Sequence, residues 1–369
     1  MLHYILVFFL LLVILIMTSK NSLWSNTNKR NKIGFSICLL ILFVMSAFKA
    51  STVGNDTHEY LRIFEMGTDT VIAGTRYELG YLYFSQIIWK IFHEPQALFI
   101  VYSLIFYILL WRFISKYSSM PWVSVLIFFA YTLFSFSMSA LRQSLAIAIL
   151  FLSFDFALNK RYILFIITTI VASLFHSSAI FFILCPFILR LKPSKKTIKI
   201  FVGSTIIVYL FFGNILDTVF SYFPYYEHYQ DGIYFEGGVR IASILQLLLS
   251  FLFLYISYQS YSKLPREDNS YEKDLLGHLL VFQMVVVSLS ILCLKVNILD
   301  RIVLYYSSFV LLIIPNALSA MSHNNKKFWG KLVLIAVFLY TLIIIALRPD
   351  WNSVFPYTFC WDEKNLMIY

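Results

Sequence analysis

Charge is what this 369-residue chain has least of: 13% of its residues are Asp, Glu, Lys or Arg, against 60% hydrophobic ones. Together with a mean hydropathy of +0.78, that scarcity excludes a soluble globular domain and a nucleic-acid-binding module. A cysteine framework is missing too. Cys38, Cys185, Cys293 and Cys360 are scattered without a C-x-x-C spacing, so they read as small hydrophobes and not as disulfide partners or zinc ligands. The first apolar run, residues 2–17, has no basic segment before it and no A-x-A cleavage site after it, and is expected to be a retained span. Walker A, G-x-G-x-x-G, H-E-x-x-H, G-x-S-x-G and Asp-x-Asp sequences are all lacking. Those absences argue against a cytoplasmic nucleotide donor, a metal-held nucleotide sugar and a serine hydrolase.

What the chain does contain is a succession of apolar runs of about twenty residues, each long enough to cross a hydrocarbon core of roughly 30 Å as a helix. The runs are continuous and rich in Leu, Ile and Phe, whereas a β-barrel needs alternating strands of about ten residues. The expected fold class is therefore all-α, a polytopic membrane bundle of about 12 transmembrane helices by that length rule. The spans are expected at 2–17, 33–49, 97–114, 120–138, 141–157, 161–175, 177–190, 200–216, 240–260, 275–294, 298–320 and 332–347. The chain, 1–369, is expected to form a single membrane domain with three longer loops on one side: 50–96, the aromatic 217–239, and the tail 348–369.

Basic clusters such as 190–199 and 326–331 fall in the opposite, shorter loops, while Asp56, Glu59, Glu65, Glu78 and Asp300 fall on the long-loop side. This asymmetry marks the short loops as cytoplasmic. A full crossing by Tyr77–Phe92 would carry both basic clusters outside, so that stretch is expected to be an interfacial or re-entrant helix. A single span over 161–190 would break the same rule.

Candidate chemistry gathers on the long-loop side. Arg142 and Gln143 interrupt the apolar stretch Ser139–Ala148. A mid-helix charge costs about 2.5–3.5 kcal/mol on insertion scales, so a retained Arg calls for a partner or a ligand, although an Arg near a helix end also snorkels. Ser135, Ser137, Ser139 and Ser144 around it suggest a hydrated cavity. Gly54, Asn55 and Asp56 form a tight turn with Thr57 starting a short helix; Asp56 and Glu78 are also carboxylates able to accept a hydroxyl proton or bind sugar hydroxyls. His176 stands at the break between two apolar runs, where a structural hydrogen bond or a proton-transfer role would both suit it. Asp300 and Arg301, with Tyr305 and Tyr306 one turn on, cannot face each other on a helix. Arg301 is therefore a candidate to join Arg142 in a clamp for phosphate oxygens. The aromatic loop 222–235 suits an interfacial belt or a sugar-stacking surface.

Taken as a set, Val53-Gly54-Asn55-Asp56-Thr57 with Tyr60, Glu78-Leu79-Gly80-Tyr81, Leu141-Arg142-Gln143 with Ala146, Leu174-Phe175-His176-Ser177-Ser178-Ala179, Asp300-Arg301 before Tyr305, and Phe355-Pro356-Tyr357 resemble the EpsG family of bacterial membrane proteins, grouped with Wzy-type polysaccharide polymerases. The resemblance implies a glycosyltransferase of the bacterial cytoplasmic (inner) membrane, facing the periplasm or cell exterior. It would join undecaprenyl-diphosphate-linked oligosaccharide repeat units into capsule, exopolysaccharide or O-antigen. It further implies that Arg142 and Arg301, with Gln143, Asn55 and Tyr305, bind the diphosphate and substrate, and that Asp56, Glu78 or His176 deprotonates the acceptor hydroxyl. Neither metal nor cofactor is expected. The expected partners are the lipid-linked oligosaccharide, the bilayer, a chain-length regulator and a flippase, and no nucleic acid. A glycan ligase, a sugar O-acyltransferase and a non-enzymatic flippase are the alternatives.

Overall fold

The computed structural model describes residues 1–19, 23–24, 29–65, 77–222, 240–265, 270–348 and 350–362. Among these, every regular element is helical; a lone antiparallel bridge pairs Lys49 with Phe359. The helices are α1 Leu2–Thr18, α2 Lys29–Ala47, α3 Thr57–Glu65, α4 Leu79–Phe92, α5 Gln96–Tyr117, α6 Pro121–Ala130, α7 Leu133–Ser139, α8 Leu141–Leu158 and α9 Tyr162–Phe175. A 3₁₀ segment, Ser177–Leu184, leads into α10 Cys185–Leu189, α11 Lys195–Leu210, α12 Phe212–Tyr222, α13 Ile241–Ser262, α14 Tyr271–Leu292, α15 Asp300–Ser307, α16 Val310–Ser319 and α17 His323–Leu347.

Five of these, α5, α8, α13, α14 and α17, are long and apolar enough to cross a membrane, and the number rises to eight if each of three bent pairs is one span. The expected twelve is not confirmed among the described residues, because four of the expected runs fall short of that length. The runs expected at 2–17, 161–175 and 177–190 give shorter apolar helices, as does the part of α2 from Lys32 to Ala47. At 1.5 Å per residue, the 14 residues of α9 cover about 21 Å of a core roughly 30 Å thick. The stretch expected at 120–138 is not one rod either: α6 and α7 diverge by 59°.

The described residues divide into two compact units, 1–183 with 326–369, and 184–325. In the first, α6 is buried on every side, the position a helix apolar all round must take. Tyr4 of α1 stacks on Phe129 of α6 at 5.0 Å and on Phe338 of α17 at 5.6 Å. The break after α6 falls at Thr132, whose φ of 63° is unusual for a β-branched residue. The Ala130 carbonyl beside that break accepts from the Thr341 hydroxyl at 2.5 Å and the Tyr4 hydroxyl at 3.5 Å. In an apolar interior such a group must find a partner within the protein.

Helices α5 and α8 meet through Phe113 and Phe151, stacked at 4.0 Å. One turn beyond, Asp155 of α8, 7% exposed, accepts from Arg112 at 2.6 Å, Lys116 at 2.5 Å, the Tyr117 hydroxyl at 2.5 Å and Asn159 Nδ2 at 2.9 Å. A nearly buried carboxylate is tolerable only with such a surround. In the second unit, α14 packs against α11, α13, α15 and α16. Gln283 of α14 donates to the Ser250 carbonyl of α13 at 2.9 Å, and Ser260 of α13 to the Ala317 carbonyl of α16 at 2.8 Å.

Asp155→Asn keeps the size of the side chain but removes the charge that four donors share. The expected result is a correctly inserted protein whose thermal unfolding in detergent reports a loss of about 1–3 kcal/mol. Arg112→Gln should cost less, because that guanidinium side chain is 45% exposed and water replaces its partner.

Candidate functional site

The loop after α2 is pinned before any reactive group is placed. Its anchor is Lys49, fully buried, whose ammonium donates to the Val53 carbonyl at 3.0 Å, Thr57 Oγ1 at 2.7 Å and the Met138 carbonyl at 2.5 Å. It also lies 4.5 Å from the centre of the Phe99 ring. A buried ammonium needs close to its full set of acceptors, and meeting that need ties residues 49–57 to the end of α7. Gly54 completes the tie. Its φ of +98° suits glycine, and a Cβ there would fall 2.8 Å from the Met138 carbonyl oxygen. Next to it the Asn55 N–H donates to Ser139 Oγ at 3.2 Å. The tail closes over the same loop: the Ala50 N–H donates to the Thr358 carbonyl at 3.0 Å, the Gly54 N–H to the Ser353 carbonyl at 2.9 Å, and the Tyr357 hydroxyl to the Met45 carbonyl at 2.6 Å.

Arg142, in the first turn of α8 just beyond Ser139, forms an ion pair with Glu78, the residue that precedes α4. Their side chains are 19% and 17% exposed, so the pair sits at a partly desolvated rim. The other oxygen of Glu78 accepts from the Ser177 N–H at 2.9 Å, beside the break at His176. The guanidinium lies 4.4 Å from the Tyr77 ring centre and 5.7 Å from that of Tyr81. Aromatic faces of this kind hold a cation electrostatically. On the far side the Tyr60 hydroxyl interacts with Arg142 and donates to Asp56 Oδ2 at 3.4 Å. Burial raises the Tyr60 pKa, so this phenol is a neutral donor. Arg142 Nε is buried without a hydrogen-bond partner among the described residues. The result is a line of groups, Asp56, Tyr60, Arg142, Glu78 and the Ser177 N–H, contributed by α3, the residues just before α3 and α4, α8 and the turn after α9.

Gly80 makes this line geometrically possible. A Cβ at Gly80 would lie 2.6 Å from the Leu174 carbonyl oxygen and 2.6 Å from Leu174 Cβ. The start of α4 therefore touches the backbone of α9, near enough for Glu78 to reach Ser177. The aromatic floor beneath is shared by Tyr60, Tyr81, Tyr102 and Phe175, with Tyr60 and Tyr81 centroids 5.6 Å apart and Tyr102 and Phe175 6.4 Å apart.

The remaining expected residues fall as follows. Asp56 is exposed and Asn55 is exposed at the turn. His176 is buried, with its Nδ1 3.0 Å from Ser178 Oγ. Gln143 is buried beside Arg142. Ser137 and Ser144 line a cavity of about 10 Å³ with Ser46, Ser103 and Tyr107, about the space of one water. Asp300 and Arg301 open α15 in the second unit, where Asp300 is hydrogen-bonded to the Cys293 thiol and feels the charge of Arg240. Tyr305 is fully buried. The structure thus brings Asp56, Glu78, Arg142 and His176 to one end of the first unit, while Arg301 and Tyr305 belong to the other unit. The aromatic loop 222–235 lies outside the described residues from 223 onward. No group of three or more His, Cys, Asp or Glu is placed to hold a metal ion among the described residues.

A family model described as the EpsG family matches residues 32–359. The chain belongs to the EpsG family. The match takes in α3 to α17 and most of α2, and with them both units and every residue of the Arg142 line. No curated protein and no solved structure matches the chain.

Sequence reasoning missed Lys49, because a basic residue at the end of an apolar run reads as a snorkelling interface residue. It also missed the use of Tyr77 and Tyr81 as a cation platform and of the Ser177 N–H as a partner for Glu78. The signal for the first was available in the Tyr77-Glu78 and Tyr81 spacing, which places both rings on the turn that carries the carboxylate. For this EpsG-family protein, Gly80→Ala is expected to part α4 from α9 at a packing cost of about 1–3 kcal/mol. Insertion should be normal, and a cysteine pair placed at Leu79 and Ser173 should crosslink more slowly than in the parent; an unchanged rate would show that α4 does not depend on that contact.

Proposed function

We propose that this protein is a Wzy-type polymerase, a membrane glycosyltransferase that joins oligosaccharide repeat units carried on a polyprenyl diphosphate at the outer face of the bacterial cytoplasmic membrane. Membership of the EpsG family supports a polysaccharide-polymerase-like role, and the observation that carries the reading is Arg142. Its guanidinium is oriented by a carboxylate and two aromatic rings, on the side that positive-inside asymmetry marks as external.

In the proposed reaction the acceptor hydroxyl oxygen attacks the anomeric carbon of the donor, and the bond from that carbon to the diphosphate oxygen breaks. The leaving lipid diphosphate departs with the electron pair, and the hydroxyl proton passes to a base. Fixed guanidinium groups act where the leaving group gathers charge, which is the most effective place for preorganised donors. Arg142 supplies one such group, with Gln143 and Asn55 as supporting contacts. Of the candidate bases Asp56 is preferred. Both Glu78 oxygens are engaged, by Arg142 and by the Ser177 N–H, so Glu78 is assigned to positioning. His176 is buried with one ring nitrogen against Ser178, whereas the Asp56 carboxylate is exposed beside a single phenol.

The test is the size of lipid-linked glycan in cells whose own copy is replaced by variants. Arg142→Ala should leave single repeat units on the external face and lower polymer output by about a hundredfold or more, the usual effect of removing one preorganised donor. Asp56→Asn should also stop polymerisation with the protein in the membrane. A normal polymer ladder in Arg142→Ala would end the proposal. Units trapped on the inner face would point to a flippase, and full-length lipid-linked polymer awaiting transfer to a ligase.

A further inference from the structure

The second unit carries a groove that the proposed transfer reaction does not use. It has a volume of about 660 Å³ and runs between α11, α13 and α14. Val202, Ile206 and Leu210 line it from α11, Tyr255 and Tyr258 from α13, and Val287 from α14. The wall is almost wholly apolar, and Val202, Ile206, Leu210, Tyr255 and Tyr258 are exposed in it at 44–70% of their surface. At the α11 N-terminus a second hollow of about 400 Å³ is lined by Lys195, Lys196, Lys199 and Ile200.

Both hollows are lined by α11, and part of each lies on one helical face. Lys195, Lys199, Val202, Ile206 and Leu210 follow one another at intervals of four, three, four and four, the spacing that keeps side chains on one side of an α-helix. An occupant of this face meets ammonium groups at one end and hydrocarbon along the rest. From Lys199 to Leu210 the helix rises about 16 Å, close to half of a hydrocarbon core roughly 30 Å thick. That is the depth of one leaflet. The lysines lie in the loop region that the charge asymmetry marks as cytoplasmic, where clustered Lys side chains at the membrane surface attract anionic lipid head groups.

We propose that the α11–α13–α14 groove is a binding site for a glycerophospholipid with an anionic head group from the cytoplasmic leaflet. Lys195, Lys196 and Lys199 hold the phosphate, and an acyl chain lies along Val202, Ile206 and Leu210. A polyprenyl lipid is the rival occupant. Its chain is several times longer than the groove, and its diphosphate would be sought at the opposite end, where Lys295 lies 4.6 Å from the Tyr209 ring centre.

The test is native mass spectrometry of the full-length protein, delipidated in detergent and titrated with dioleoyl phosphatidylglycerol, dioleoyl phosphatidylcholine or undecaprenyl phosphate. The expected result is one tightly bound phosphatidylglycerol, preferred over phosphatidylcholine, with affinity reduced roughly a hundredfold when Lys195, Lys196 and Lys199 are all changed to Gln. Lys295→Gln should leave it unchanged. Ile206→Trp, which fills the groove and leaves every lysine in place, should lower phosphatidylglycerol binding while thermal unfolding in detergent stays that of the parent. Equal binding of the two phospholipids, a loss that follows Lys295 instead of the lysine cluster, or selective retention of undecaprenyl phosphate would each overturn the assignment.

Discussion

The contact on which the rest of the candidate site depends is the ion pair between Arg142 and Glu78. A guanidinium at the start of an apolar helix is costly unless a carboxylate and polarisable faces surround it. Meeting that demand fixes where α4 must begin. Glu78 has to precede α4, Gly80 has to let the helix touch the Leu174 backbone, and Tyr77 has to lie over the guanidinium. Once α4 is held there, the second Glu78 oxygen is close enough to take the Ser177 N–H. The break at His176 and the charge at Arg142 are thus two ends of one arrangement.

A second constraint supports the first from below. Apolar surroundings leave no water for a freed backbone group, so each interruption of a helix is matched by a side chain from elsewhere in the sequence. Thr341 and Tyr4 serve Ala130 at the α6–α7 break, and Lys49 serves Met138 near the end of α7. Because Ser139 then receives the Asn55 N–H, the loop with Asp56 is held against the helix junction that presents Arg142. The buried Lys49 is therefore structural in effect, and a site that needs immobile charges benefits from it.

Much of the architecture was legible because apolar runs report helices directly. The turn at Gly54–Asp56, the start of α3 at Thr57 and the break at His176 could be read from residue type alone. The division of 120–138 into α6 and α7 could not, since Thr132 is chemically unremarkable in an apolar run and its left-handed turn is set by packing. The count of twelve spans is left unconfirmed for a related reason: hydropathy reports that a segment is apolar, not that its helix continues for the full thickness of a bilayer. Long-range pairings were the least visible. Arg142 invited a partner, but nothing in the sequence chose Glu78, 64 residues away, over Asp56 or Glu59, because all three occupy the same loop. Lys49 and Asp155 were hidden by their positions near helix ends, where charges are ordinarily solvated.

The most direct measurement of the central claim is a double-mutant cycle on Glu78→Gln and Arg142→Gln, read as the polymerisation rate on purified lipid-linked repeat units. If Glu78 acts by holding Arg142, the double variant should be no slower than Arg142→Gln alone, with a coupling energy of about 0.5–3 kcal/mol, the range found for residues in contact. Losses that simply add would contradict the account, because they would mean that the two residues act at the reacting centre independently of each other.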